Sequence, residues 1–151
     1  MSQSLRAAVY SRMLACAPLV ALVDTDPVDH ESPAMFAGRK STAPTVDRCL
    51  TYRVPSDIPD KRFRGFPGAG TSGRIYDAVV EIEYWNRSVA DSAPIEAAMA
   101  ALDSLFDNRC FATDGGRVIL STRQIGECDH YDDKNNCWFG LFRYLFRVQS
   151  T

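Results

Sequence analysis

The sequence predicts an α+β domain, a mainly antiparallel sheet of about four or more strands with two helices packed on one face. Three observations carry that expectation. Residues 75–86 alternate in character with a period of two: Val80, Ile82 and Tyr84 share one side, Glu81, Glu83 and Trp85 the other, as in a half-buried strand. Ile95, Ala98, Met99, Leu102, Leu105 and Phe106 recur at spacings of three and four, the apolar stripe of a helix. Two further strand-like runs, 117–128 and 137–148, flank a very polar turn.

The elements follow in order. Residues 4–23 read as a helix: Leu5, Ala8, Val9, Met13 and Cys16 fall on one face, and Ser4 stands at the capping position. Pro18 removes a backbone donor, so the helix is expected to break near Ala17 and resume as a short turn over 19–23. Residues 24–48 carry acids, prolines and Gly38 without a periodic apolar face and read as a long loop. CLTYRV at 49–54 reads as a strand ended by Pro55, and 55–74 as a second long loop that is glycine-rich at its end. Asp91 or Ser92 caps the next helix, with Pro94 in its first turn and its end near Asn108. Asp114-Gly115-Gly116 is a turn. In the strand 117–128, Val118, Leu120 and Thr122 are expected on one face. In the last strand Trp138, Phe142, Tyr144, Phe146 and Val148 share one face, while Phe139, Leu141 and Leu145 share the other with Arg143 and Arg147. A strand apolar on both faces is central in its sheet or pressed against a partner.

Composition bounds the function. With 151 residues and no repeat, the chain reads as one domain, 1–151. That length buries roughly 70% of the unfolded surface, enough to fold without metals or disulfides. The hydrophobic fraction is 46% and the charged fraction 24%, ordinary for a globular protein. A net charge of −2 gives no reason to expect sequence-independent nucleic-acid binding. No apolar run approaches the ~20 residues that cross a bilayer. Arg6 and Arg12 sit within an amphipathic pattern, not ahead of an apolar core, so no signal peptide is expected. The five cysteines, Cys16, Cys49, Cys110, Cys128 and Cys137, are odd in number and irregularly spaced, which reads as reduced, mostly buried thiols of a cytoplasmic protein.

The search for chemistry finds weak candidates. Cys128, His130 and Cys137 could meet at a hairpin base to hold zinc, but lack a CxxC or HxxxH pair, and a polar turn accounts for them. His30 and His130 lie in no hydrolase motif. Glu81 and Glu83 share a strand face, as acid–base pairs do and as solvent-facing carboxylates do more often. Gly65 to Gly70 lacks the Lys-Ser/Thr ending of a phosphate loop. More suggestive is Lys61-Arg62-Phe63-Arg64-Gly65-Phe66. Arginine and aromatic residues are enriched at protein interfaces and also stack on single-stranded nucleic acid. The near-neutral chain favours a protein contact, or a plain solvated loop, over nucleic acid. Surplus apolar strand surface points the same way, since a homo-oligomer can bury it. The candidate contact residues are Arg62, Phe63, Arg64, Phe66 and Trp85, with Arg143 and Arg147 behind them.

SLRAAVYSRMLACAPLVALV at 4–23 resembles the first helix of the tail terminator (tail-completion) proteins of long-tailed bacteriophages. IYDAVVEIEYWNRS followed by APIEAAMAALDSLF resembles that family's central strand and second helix, and RVILSTRQIGECDHYDDKNNCWFGLFRYLFRV its terminal hairpin. Residues 24–74 match only loosely, the loop before Ile75 is long, and five cysteines are not a family mark. The resemblance implies a structural virion protein, not an enzyme and without a cofactor. It implies a hexameric ring at the head-proximal end of the tail, formed in the host cytoplasm and kept in the virion neck. Such a ring ends tail-tube growth and joins tail to head. Its partners would be further copies of itself, the tail tube protein and a head-completion or connector protein, with DNA only passing through the lumen and no membrane. Two other readings stay open: a head-completion or connector protein beneath the portal, and a small metal- or ligand-binding domain using Glu81, Glu83 or the Cys128–Cys137 hairpin.

Overall fold

The computed structural model describes residues 2–38, 46–59, 74–87, 92–134 and 136–150. Its elements are α1 (Ser2–Leu14), α2 (Ala17–Val20), β1 (Met35–Ala37), β2 (Arg48–Pro59), β3 (Arg74–Asn86), α3 (Ala93–Phe106), β4 (Arg109–Thr113), β5 (Gly116–Asp132) and β6 (Cys137–Ser150). The strands form one six-stranded sheet in the order β1-β2-β3-β6-β5-β4. The β1–β2 pair is parallel and every other pair antiparallel. The α+β class and the helix-covered antiparallel sheet are as the sequence predicts.

The helix break falls at Cys16, which is extended and leads into α2 with Pro18 in its first turn. There the missing N–H has no intrahelical acceptor to lose. α3 likewise begins with Pro94 in its first turn. It buries Ile95, Ala98, Ala101, Leu102 and Phe106, and the left-handed Asn108 at φ 56° turns the chain back into β4.

All three helices lie on one face of the sheet. Leu5, Val9 and Met13 of α1, Leu19 of α2 and the α3 stripe pack on Tyr76, Ala78, Val80, Ile82 and Tyr84 of β3. Phe142, Tyr144, Phe146 and Val148 of β6 complete this core. Polar tips anchor the layers. The Tyr84 hydroxyl donates to the Leu22 carbonyl at 2.7 Å. Tyr144 donates to Asp103 Oδ1 at 2.8 Å, and Arg123 holds the other oxygen of that carboxylate at 2.5 Å. Burial, reinforced by the Asp103 charge, pushes the Tyr144 phenol far above its ordinary pKa. Arg12 donates to the Leu105 carbonyl at 3.0 Å while its guanidinium covers the Phe111 ring at 4.3 Å.

Several boundaries differ from the sequence-based expectation. β2 does not stop at Pro55 but continues to Pro59. Its pairing with β3 shifts between Arg53 and Ser56, and β1 accompanies only Leu50 to Tyr52. Pro55 therefore sits in an irregular stretch beyond the reach of β1, where its missing N–H leaves no ladder bond unmade. β1 and β4 were not expected as strands. Each is too short to show a period and exists by pairing with a longer neighbour. β5 continues through the expected loop to Asp132. Its register shifts between Val118 and Leu120, so Val118 joins the core opposite Val148 while Leu120 stands opposite Arg147 on the other face. The expected common face of Val118 with Leu120 and Thr122 is thus divided by a bulge. β6, apolar on both faces, lies inside the sheet between β3 and β5.

Gly140 marks the closest approach of α3 to the sheet. A Cβ there would lie 2.5 Å from Ile95 Cγ2, a branched and fully buried side chain. Gly140→Ala is expected to lower stability by about 1–3 kcal/mol through overpacking, read as a lower urea midpoint at unchanged slope.

Candidate functional site

The sheet face away from the helices is ordered by the strand register. Cross-strand rungs of charged and apolar side chains alternate on it. Arg53, Glu81 and Arg143 stand side by side on β2, β3 and β6. The next rung holds Val79, Leu145 and Thr122, and the one beyond it Asp77, Arg147 and Leu120. The period-two pattern of β3 explains this: its carboxylates Asp77, Glu81 and Glu83 are all odd-numbered, and β6 offers arginines opposite the first two and Leu141 opposite Glu83.

Glu81 is only 6% exposed. Its Oε1 accepts from Arg143 at 2.6 and 3.2 Å. Its Oε2 accepts from Arg53 Nε at 2.8 Å and from the same guanidinium's second nitrogen. Burial pushes the carboxyl up, but the hydrogen bonds and charges of Arg143 and Arg53 outweigh it and hold its pKa below the usual carboxylate range. A carboxylate so held is a strand clamp and a poor proton shuttle near neutrality. Arg147 grips Asp77 with two bonds, at 3.0 and 3.2 Å. Arg143 and Arg147, two of the expected contact residues, thus lie on this face within ion pairs, their side chains 37% and 38% exposed.

Trp85 is placed differently. It is 6% exposed and stacks on Phe139 at 4.4 Å between ring centroids. Ala34, Val46, Cys49 and Cys137 close around it as a second small core. Its apolar surface is covered by its own chain. Arg62, Phe63, Arg64 and Phe66 lie outside the described residues.

The cysteine–histidine hairpin does not converge. Cys128 packs toward α3, its Sγ 3.8 Å from Met99 Sδ, while Cys137 belongs to the Trp85 cluster on the opposite face. His130 stacks on Phe139 at 5.1 Å and is paired with Glu127. Among the described residues no group of three or more His, Cys, Asp or Glu side chains could hold a metal ion. Among the same residues no helix is long and apolar enough to cross a membrane. None of the five cysteines forms a disulfide; Cys16, Cys49 and Cys137 are buried and Cys110 is exposed.

No family model matches this chain. No curated protein matches it either. The fold, however, is similar to a solved chain from the virion of a native gene transfer agent particle, with a TM-score of 0.64 at 20% identity. The likeness covers 98% of this chain and 96% of the other. At that identity what the two share is a fold, here matched almost end to end.

Glu81→Gln should cost about 1–3 kcal/mol, because two arginines lose a partly buried anion but can rehydrate at the surface. The sign with pH follows from the depressed pKa. The clamp's contribution is fully present above the unfolded carboxylate pKa and is lost as pH falls through the lower folded value. Urea titrations of both proteins should therefore differ most near neutral pH and converge in acid below the usual carboxylate range.

Proposed function

We propose that this chain is a structural virion protein that forms a ring at the head-proximal end of a phage-type tail, ending tube growth and joining tail to head. The observation that carries the reading is the end-to-end fold likeness to a chain of a gene transfer agent virion. The resemblance of segments 4–23, 75–106 and 117–148 to tail terminator proteins supports the place in the neck. The side chains best suited to chemistry are occupied in holding the fold: Glu81 by two arginines, His130 by Glu127 and Phe139. That supports a role in assembly without catalysis or a cofactor. Its partners are then further copies of itself, the tail tube protein and a head-completion or connector protein, with DNA passing through the lumen.

Purified chain should assemble into rings visible by electron microscopy, alone or on purified tail tubes, and should cap one tube end. Binding to a portal–connector complex and not to tubes would move it to the connector beneath the portal. A strict monomer that engages neither would overturn the reading.

A further inference from the structure

The near-neutral net charge of −2 conceals a polar sheet. At one end the β5–β6 turn exposes Glu127, Asp129 and Asp133, with Asp132 beside them and Lys134 as the base in this stretch. The chain before β1 adds Asp26, Asp29 and Glu31 at the same end, because Asp24 N–H bonds the Arg48 carbonyl at 2.9 Å where β2 begins. At the other end β5 opens with exposed Arg117, whose Nε donates to Gln149 at 3.1 Å. Arg147 lies opposite Leu120 there, while Arg109 of the edge strand β4 is exposed on the helix side of the same region, opposite Ser121 and near Arg12.

Each end also presents an exposed apolar anchor. Tyr131, next to Asp132 and Asp133 in sequence, is 45% exposed on the helix side, its ring edge-on to Trp138 and its hydroxyl donating to Asn136. Leu120 is 44% exposed on the open face, opposite Arg147, which is paired with Asp77, and one rung from Arg117. Both anchors lie on β5, eleven positions apart in sequence, about 35 Å along a strand. One chain cannot bring them together, whereas two copies can. An acidic turn that carries an exposed aromatic and an exposed leucine beside Arg117 suit each other in charge and in apolar character.

We propose that copies of this chain associate head to tail, the acidic β5–β6 turn of one copy, centred on Tyr131, seating on the Arg117–Leu120–Arg147 surface of the next. Such a heterologous contact generates a ring when its rotation closes. The proposal rests on the ring reading above and names the surfaces that would build it.

A charge swap on the full-length chain tests it. Asp129→Lys/Asp133→Lys reverses the turn, and Arg117→Glu reverses the exposed charge of the receiving end. All three side chains are exposed, so thermal melts should match the wild type and confirm folding. In sedimentation velocity the wild type should assemble at low salt and weaken as salt rises. Each variant alone should associate roughly tenfold more weakly or worse. An equimolar mixture should regain assembly, since every contact then joins opposite charges. If both variants assemble like the wild type, or both fail and the mixture does not recover, the head-to-tail surfaces are wrong while the ring stands. A wild type that stays monomeric with and without tail tubes sinks the ring reading itself. If Arg117→Glu abolishes a shift of duplex DNA but leaves assembly intact, that arginine serves DNA and the inference is overturned.

Discussion

The pairing of β3 with β6 runs from Arg74 opposite Ser150 to Asn86 opposite Trp138 without a register shift. In a strand the side chains alternate between faces, so a slip of one residue would move every apolar side chain to the wrong side. This unbroken register places Tyr76 to Tyr84 and Phe142 to Val148 together under the helices. By the same geometry it brings Asp77 to Arg147 and Glu81 to Arg143 on the opposite face. The core and the ion-paired face are two consequences of one alignment. The flanking strands are freer. β2 and β5 both carry register shifts, and these bend the sheet away from the central pair without disturbing it.

The helix-free face is neither a plain solvent surface nor a continuous apolar patch. Asp77 and Glu81 are matched to arginines on neighbouring strands, and Glu81 ties three strands through one side chain. Between their rungs stand Val79 and Leu145, half-buried, and Leu141 lies opposite Glu83. Interrupting apolar side chains with paired charge limits the exposed patch that unassembled copies would otherwise share.

Charge is distributed by topology as much as by composition. Residues 24–31 and 127–133 are nearly a hundred positions apart, yet both close the same end of the sheet, because Asp24 is fastened to Arg48 and Asn86 lies opposite both Arg48 and Trp138. Arg117, at the start of β5, lies at the other end. A chain that is nearly neutral in sum thus becomes polar along its strands.

The class of the fold, the two principal helices and the faces of β3 and β6 can be read from the residues alone. Long segments repeat their period often enough to be read, as in the Val80-Ile82-Tyr84 alternation and the Ile95-to-Phe106 stripe. The cysteines' scatter and the Pro18 break were equally local and equally readable. Only the tertiary structure decided the rest. β1 and β4 are too short for a period and owe their form to their partners. The bulge after Val118 turns Leu120 to the open face, and the composition of that segment contains no sign of it. Trp85 shared a face with two glutamates in sequence and looked like a contact residue, but Phe139 and Cys137 from one strand and Cys49 from another close over it. Glu81 looked like a solvent-facing carboxylate because its two arginines are 28 and 62 positions away. Local periodicity is a property of neighbours along the chain. Ion pairs, bulges and burial depend on neighbours across it, and those exist only once the strands have found their register.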